Sequence, residues 1–161
     1  MDVIAHLLNH PRWPLLVYPG AVKEIAPETF EALFTRNKWP AAWRNGVFPF
    51  HHYHPNSHEA LGVYEGEVTV RFGGREGNMS GVTLTAKPGD VIVLPAGTGH
   101  KKISARGALG IVGAYPEGCR PQTVTLERFF KKAAAVVAGV PLPACDPVLG
   151  PGGPLFTYWR A

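Results

Sequence analysis

An all-β fold, an antiparallel sandwich or barrel with a short helix before it and a second helix plus a Pro/Gly-rich tail after it, is what this sequence predicts. Two observations carry the prediction. From residue 46 to about residue 115 the chain breaks into short apolar stretches of period-two alternation, divided by turns such as Glu65-Gly66 and Lys87-Pro88-Gly89-Asp90. The chain also holds 19 glycines and 16 prolines, which favour many tight turns over a helical bundle.

The elements follow in order. Residues 13–20, WPLLVYPG, read as a short strand closed by Pro19-Gly20. Over 27–37, Pro27 suits a first helical turn and Glu28 and Glu31 suit its positive end. Phe30, Leu33 and Phe34 share one face, so an amphipathic helix is expected there. In VFPFHHYH, residues 47–54, strand alternation puts Phe48, Phe50, His52 and His54 on one side, with Val47, Pro49, His51 and Tyr53 opposite. Glu59, Leu61 and Val63 form a second inward set and Val68, Val70 and Phe72 a third, two strands parted by the turn at Glu65-Gly66. Strands at 82–86, 91–95 and 109–115 complete the series. A helix is expected over 125–139, capped by Thr125 and stopped by Gly139. The tail beyond it carries Leu, Phe, Tyr and Trp among its prolines and glycines, so it should lie extended against the barrel.

Composition bounds the function. With 161 residues, 45% hydrophobic and 17% charged, the chain fits one globular domain over 1–161, its barrel at about 46–116. The net charge of +4 is spread out, with Lys101-Lys102 and Lys131-Lys132 as adjacent pairs and no aromatic–basic ladder, so nucleic acid is not the expected partner. A small-molecule substrate is, and the mild positive charge makes an anionic one the secondary reading. Cys119 and Cys145 match no zinc spacing and are expected as free thiols of a cytoplasmic protein. The first residues do not read as a signal peptide, and no apolar run is long enough to span a bilayer.

The chemistry concentrates in HHYHPNSHE, residues 51–59, which holds four of the chain's 7 histidines. His52 and His54, two apart on a strand, project to the same side about 6–7 Å apart and can converge on one ion. Glu59 can bring a carboxylate to the same point after a short turn, and His100 is the distant fourth candidate. Three imidazoles and a carboxylate suit a divalent first-row metal such as iron, manganese, nickel, zinc or copper. His51 should point away. His58 is read as a replacement ligand, a hydrogen-bond support for a ligand, an acid–base group near the metal or a solvent-exposed turn histidine. Lys102 faces inward by alternation from His100, either to bind a substrate carboxylate or to snorkel to the barrel mouth. Phe48, Phe50, Leu61 and Val63 are expected to line the pocket.

The order of these residues resembles the cupin family of small β-barrels. Gly46, His52, His54, Glu59 and Gly66 match every spacing of its first motif. Gly89, Pro95, Gly97 and His100 match its second, with Ser104 where asparagine is usual. The flanks, including residues 113–116 and the tail, resemble small single-domain bacterial cupins of the YjlB-like group. The resemblance implies a double-stranded β-helix, or jelly-roll, barrel and a metal held by His52, His54, Glu59 and His100. It also implies a homodimer. Cupins host dioxygenases, decarboxylases, isomerases, storage proteins and ligand sensors, so the fold alone does not set the activity. The leading expectation is a metalloenzyme acting on an oxygen-rich or carbonyl-containing metabolite, by oxygenation first and by isomerisation or decarboxylation next. The alternatives are a non-enzymatic small-molecule-binding barrel and a metal-free isomerase or epimerase with a histidine base.

Overall fold

Alternation along the strands gives the sheet two apolar faces, and the chain buries both. The structure, a computed structural model, describes residues 2–4, 10–73, 81–125 and 130–161. Among them the strands are β1 (Asp2–Ile4), β2 (Leu15–Tyr18), β3 (Ala41–Asn45), β4 (His52–Tyr53), β5 (Glu59–Phe72), β6 (Val82–Ala86), β7 (Val91–Leu94), β8 (His100–Ala114) and β9 (Val124–Thr125). The helices are α1 (Pro27–Arg36), α2 (Phe130–Gly139) and α3 (Leu155–Tyr158). The strands form one curled antiparallel sheet in the order β1-β2-β7-β5-β8-β4-β9, with β6 also on β5 and β3 also on β8.

In β7 all four residues are buried: Ile92 and Leu94 join Leu61, Val63, Val70, Phe72 and Ile111 inside the curl, while Val91 and Val93 join the outer core. That outer core is closed by α1 through Phe30 and Phe34, by Trp13 and Trp39, and by Leu155 and Trp159 of the tail. The tail is therefore part of the core. Trp39 Nε1 donates to the Cys145 carbonyl (2.8 Å) and Trp159 Nε1 to that of Pro14 (2.9 Å). No helix among the described residues is long and apolar enough to cross a membrane.

Several boundaries depart from the sequence reading. β5 runs unbroken through Gly66, where a register shift replaces the expected turn. Gly66 has φ +72, and a Cβ there would collide with the Ala108 carbonyl, so the glycine serves a bulge inside a long strand. Residues 47–51 are not strand. Pro49 has no N–H to give a ladder, and Phe48 and Phe50 stack at 4.9 Å with about half of each ring exposed. β8 starts at His100, well before the expected residue 109, because its first half is exposed and shows no apolar alternation. Thr125 pairs with His52 in β9 and is not a helix cap; the expected helical residues 126–129 lie outside the described residues. The tail is not wholly extended: Pro154, at φ −63, leads into α3.

Asp146 ties this tail down. Its fully buried carboxylate accepts the Tyr18 hydroxyl (2.7 Å) and the Leu155 N–H (3.0 Å) on Oδ2, and the N–H groups of Val148 (2.8 Å) and Leu149 (3.0 Å) on Oδ1. Asp146→Ala leaves these buried donors unpaired and is expected to lower stability by about 3 kcal/mol or more in urea unfolding. A variant within about 1 kcal/mol of wild type would contradict the role given to this carboxylate.

His10 carries a pH signature. Its Nδ1 accepts the N–H groups of Arg12 (3.2 Å) and Trp13 (2.9 Å), and its ring stacks on Trp13 at 4.5 Å. Burial first, then the charges of His58 and Arg12, lower its pKa to about 4 from an ordinary 6.5. Between these values the unfolded chain takes up a proton that the folded one refuses. Stability is thus full above about pH 6.5 and falls as the pH drops towards about 4. The urea midpoint is expected to be lower near pH 5 than near pH 7, with the gap narrowed in His10→Gln; a gap that this variant leaves unchanged counts against it.

Candidate metal centre

The inner face of the curl holds a cluster of polar side chains in an otherwise apolar lining. His52 and His100 are direct cross-strand partners of β4 and β8, with ring centroids 4.0 Å apart. His54 follows β4, and Glu59 opens β5. All four are buried. One ring nitrogen from each of His52, His54 and His100 lies within 4.8 Å of the other two.

Hydrogen bonds settle which nitrogen each ring offers. Nδ1 of His52 lies 3.0 Å from the Phe50 carbonyl, Nδ1 of His54 2.9 Å from that of Gln122, and Nδ1 of His100 3.0 Å from that of Thr98. A carbonyl oxygen accepts only, so each Nδ1 carries the hydrogen. Nε2 is left as the atom each ring has for a ligand. This is the arrangement in which a metal-ligating histidine has its tautomer and orientation fixed by a partner on the other nitrogen.

Glu59 completes the set differently from the expectation. It stands outside the group of three mutually close imidazoles and touches two of them: Oε2 is 2.9 Å from His54 Nε2, and Oε1 is 3.3 Å from His100 Nε2. The second contact is poorly aligned, and Oε1 is a buried oxygen with no hydrogen bond. Burial pushes the Glu59 carboxyl up, but its contacts with His100 and His54 outweigh that and hold it well below the usual carboxylate range. Burial lowers His54, yet the hydrogen bond and charge of Glu59 raise it overall. His52 goes the other way, to about 4, through burial and then repulsion from His100. Three inward Nε2 atoms and a buried carboxylate with an unbonded oxygen fit a divalent transition ion of intermediate softness.

A cavity of about 400 Å³ lies over the cluster. Val47, Phe48 and Leu61 form apolar wall, and Asn45, Lys102 and Thr123 bring polar groups. Of the expected lining residues, Phe48 and Leu61 are there; Phe50 and Val63 are not, Val63 being packed in the inner core. The Lys102 N–H donates to the Phe48 carbonyl (2.9 Å), which fixes the two side by side at the cavity.

His58 lies elsewhere. It precedes Glu59 and so projects to the opposite face, fully buried beside Trp13 (5.5 Å) and Trp159 (4.8 Å). Its Nδ1 accepts the Ala96 N–H (2.9 Å) and its Nε2 donates to the Pro141 carbonyl (2.9 Å). Both nitrogens are used, so neither the acid–base expectation nor the exposed-turn expectation describes it. His51 is half-buried and outside the group of three.

The sequence reading missed Tyr115 and Trp43, both on the cavity wall. The Tyr115 ring meets His54 edge-on at 5.6 Å, and Trp43 Nε1 donates to its hydroxyl (2.9 Å). Burial and the nearby Glu59 charge push the Tyr115 phenol above its usual range. Nothing local signals Tyr115, whose hydroxyl takes its hydrogen bond from a residue 72 positions earlier in the chain.

A curled antiparallel barrel with three convergent buried imidazoles on its inner face defines a class of protein, the β-barrel built around a histidine site. The chain belongs to the cupin family, whose model, described as Cupin, matches residues 20–129. It is 39% identical over 154 residues to the uncharacterised protein YjlB of Bacillus subtilis, covering 94% of this chain and 88% of that one. Among solved structures it is similar to oxalate decarboxylase from Bacillus subtilis, at 18% identity, TM-score 0.40, and 75% and 29% of the two chains. A DUF861 family protein from Thermotoga maritima is similar at 21% identity, TM-score 0.35, and 62% and 96% of the two chains. The chain spans under a third of the decarboxylase, and likenesses of this order say nothing about activity.

Proposed function

We propose that this cupin is a metal-dependent enzyme acting on a small oxygen-rich or carbonyl-containing metabolite, with His52, His54, His100 and Glu59 as the metal ligands. The observation that carries the reading is the shared tautomer: three buried rings each place Nδ1–H on a carbonyl and present Nε2 to a common point. Once bound, a divalent first-row ion supplies Lewis-acid polarisation of a substrate oxygen, and iron adds dioxygen chemistry.

The rest of the reading concerns the chain's own side chains. The three carbonyl-anchored rings hold their donor atoms without reorganisation. Glu59 offsets part of the positive charge and keeps one oxygen uncommitted. Val47, Phe48 and Leu61 exclude water from the cavity and take up the apolar body of a ligand. Lys102 pairs with a carboxylate or enediolate of the substrate, which makes the substrate class anionic. Oxygenation is the favoured reaction, ahead of isomerisation or decarboxylation. His58 stays outside the ligand set, with both ring nitrogens bonded to backbone.

Metal analysis of protein made without a histidine tag tests the centre. One equivalent of a first-row metal is expected, and His52→Ala and His100→Ala are each expected to weaken binding by more than about 100-fold, beyond the loss typical of a supporting residue. Alanine variants that keep the wild-type metal content would refute it. Stoichiometric metal with no turnover on a broad metabolite panel would turn the reading towards a binding barrel.

Lys102→Met tests the substrate class. Binding of small 2-oxo and 2-hydroxy carboxylates to the metal-loaded protein is expected to weaken by about 10–100-fold, with metal content unchanged, as fits the loss of a charge-assisted hydrogen bond. Equal affinity in calorimetry would remove the lysine from the site.

A further inference from the structure

We propose that Asn56 is a positioning residue of this centre: its amide pins residues 120–122 so that the Gln122 carbonyl orients the His54 ring. The inference rests on the reading above that His54 is a metal ligand.

Two of the three rings are oriented by their own stretch of chain. The carbonyls that receive their Nδ1–H belong to Phe50 for His52 and to Thr98 for His100, each two residues back. His54 differs. Its carbonyl comes from Gln122, 68 residues further on, at 2.9 Å. The third ring is therefore held in place only as far as a remote segment stays docked.

Little apolar burial keeps that segment there. No residue from 117 to 125 is buried, and its ladder to β4 consists of Val124 against Tyr53 and Thr125 against His52. Asn56, two residues beyond His54, adds a grip of its own. Its Nδ2 donates to the Arg120 carbonyl at 2.9 Å, and its Oδ1 accepts the Gln122 N–H at 2.8 Å. A carbonyl only accepts and a backbone N–H only donates, so chemistry fixes which way the amide faces. One side chain thus holds the peptides on both sides of Pro121, whose fixed φ carries that hold on to Gln122. Thr123, the next residue, is part of the cavity wall, so the same grip places wall and ligand together.

The test compares wild type, Asn56→Ala and Asn56→Asp, the aspartate keeping the acceptor for the Gln122 N–H and losing the donor. In chelator-stripped, isotope-labelled protein, NMR of the imidazole groups reads the three Nδ1–H hydrogens one by one. Asn56→Ala is expected to speed water exchange of the His54 Nδ1–H by about tenfold or more, leaving those of His52 and His100 as in wild type. Titration with Co²⁺ alone, followed by heat and visible absorption, is expected to give one equivalent in wild type. Asn56→Ala should bind cobalt about tenfold more weakly with a shifted spectrum, and Asn56→Asp should fall between. Wild-type exchange at His54 in Asn56→Ala overturns the proposal, and so does faster exchange at all three rings, the mark of general loosening. A selective change at His54 with wild-type cobalt affinity and spectrum overturns the part given to Asn56 in the centre. No cobalt uptake by wild type overturns the metal reading, on which the NMR arm does not depend.

Discussion

A fully buried carboxylate is the constraint from which the rest of this molecule follows. Glu59 sits on the inner face of the curl with almost no access to water. An isolated carboxylate there would lose several kcal/mol of hydration, or about that much after relaxation, and would take up a proton instead. It stays ionised because its contacts outweigh that loss. In the structure the nearest groups are the imidazoles of His54, at 2.9 Å, and His100, at 3.3 Å, and these contacts hold the carboxyl below its usual range. A divalent cation among the same three rings would hold it more strongly, and the rings are already oriented to receive one. The carboxylate and the rings that would hold a cation are thus the same side chains.

Tautomer separates the chain's histidines more sharply than position does. His52, His54 and His100 spend Nδ1–H on carbonyls and turn Nε2 inward. His58 and His10 do the reverse, accepting backbone N–H groups on Nδ1. The first arrangement keeps a lone pair available at the longer reach of the ring; the second spends it on the fold. Burial alone would not distinguish them, since all five are buried.

Much of this was legible in the sequence, and the failures have physical causes. Two-residue spacing on a strand and the ordered glycines, prolines and histidines located the three imidazoles and the barrel. β2, α1, β6 and β7 were readable because each shows a clean apolar period or turn. β3 was not, because its exposed run carries a single large apolar side chain, Trp43. The first half of β8 hid behind lysines and an arginine on a solvated stretch. His58 misled because a polar residue next to a turn reads as exposed, and nothing local announces that Ala96 and Pro141 will bury it. Tyr115 was invisible for a related reason: its hydrogen-bond partner Trp43 lies 72 residues away in the chain.

The histidine that plays no part in the cluster explains how the cluster keeps its shape. His54 lies on the segment between β4 and β5, and His100 follows the segment after β7. Two irregular segments have no ladder to hold their spacing. His58 supplies the brace: it accepts the Ala96 N–H, while the neighbouring Gly97 N–H donates to the His54 carbonyl at 2.8 Å. Its other nitrogen reaches Pro141, just beyond α2, so the brace is anchored to the tail that Asp146 and the tryptophans hold on the outer core. Alternation at the start of β5 is what makes this possible. Adjacent residues project to opposite faces, so one step of the chain puts the site's carboxylate inside and the site's support outside. The outer core is therefore part of the centre's mechanics, and the length of chain spent on the tail has its reason there.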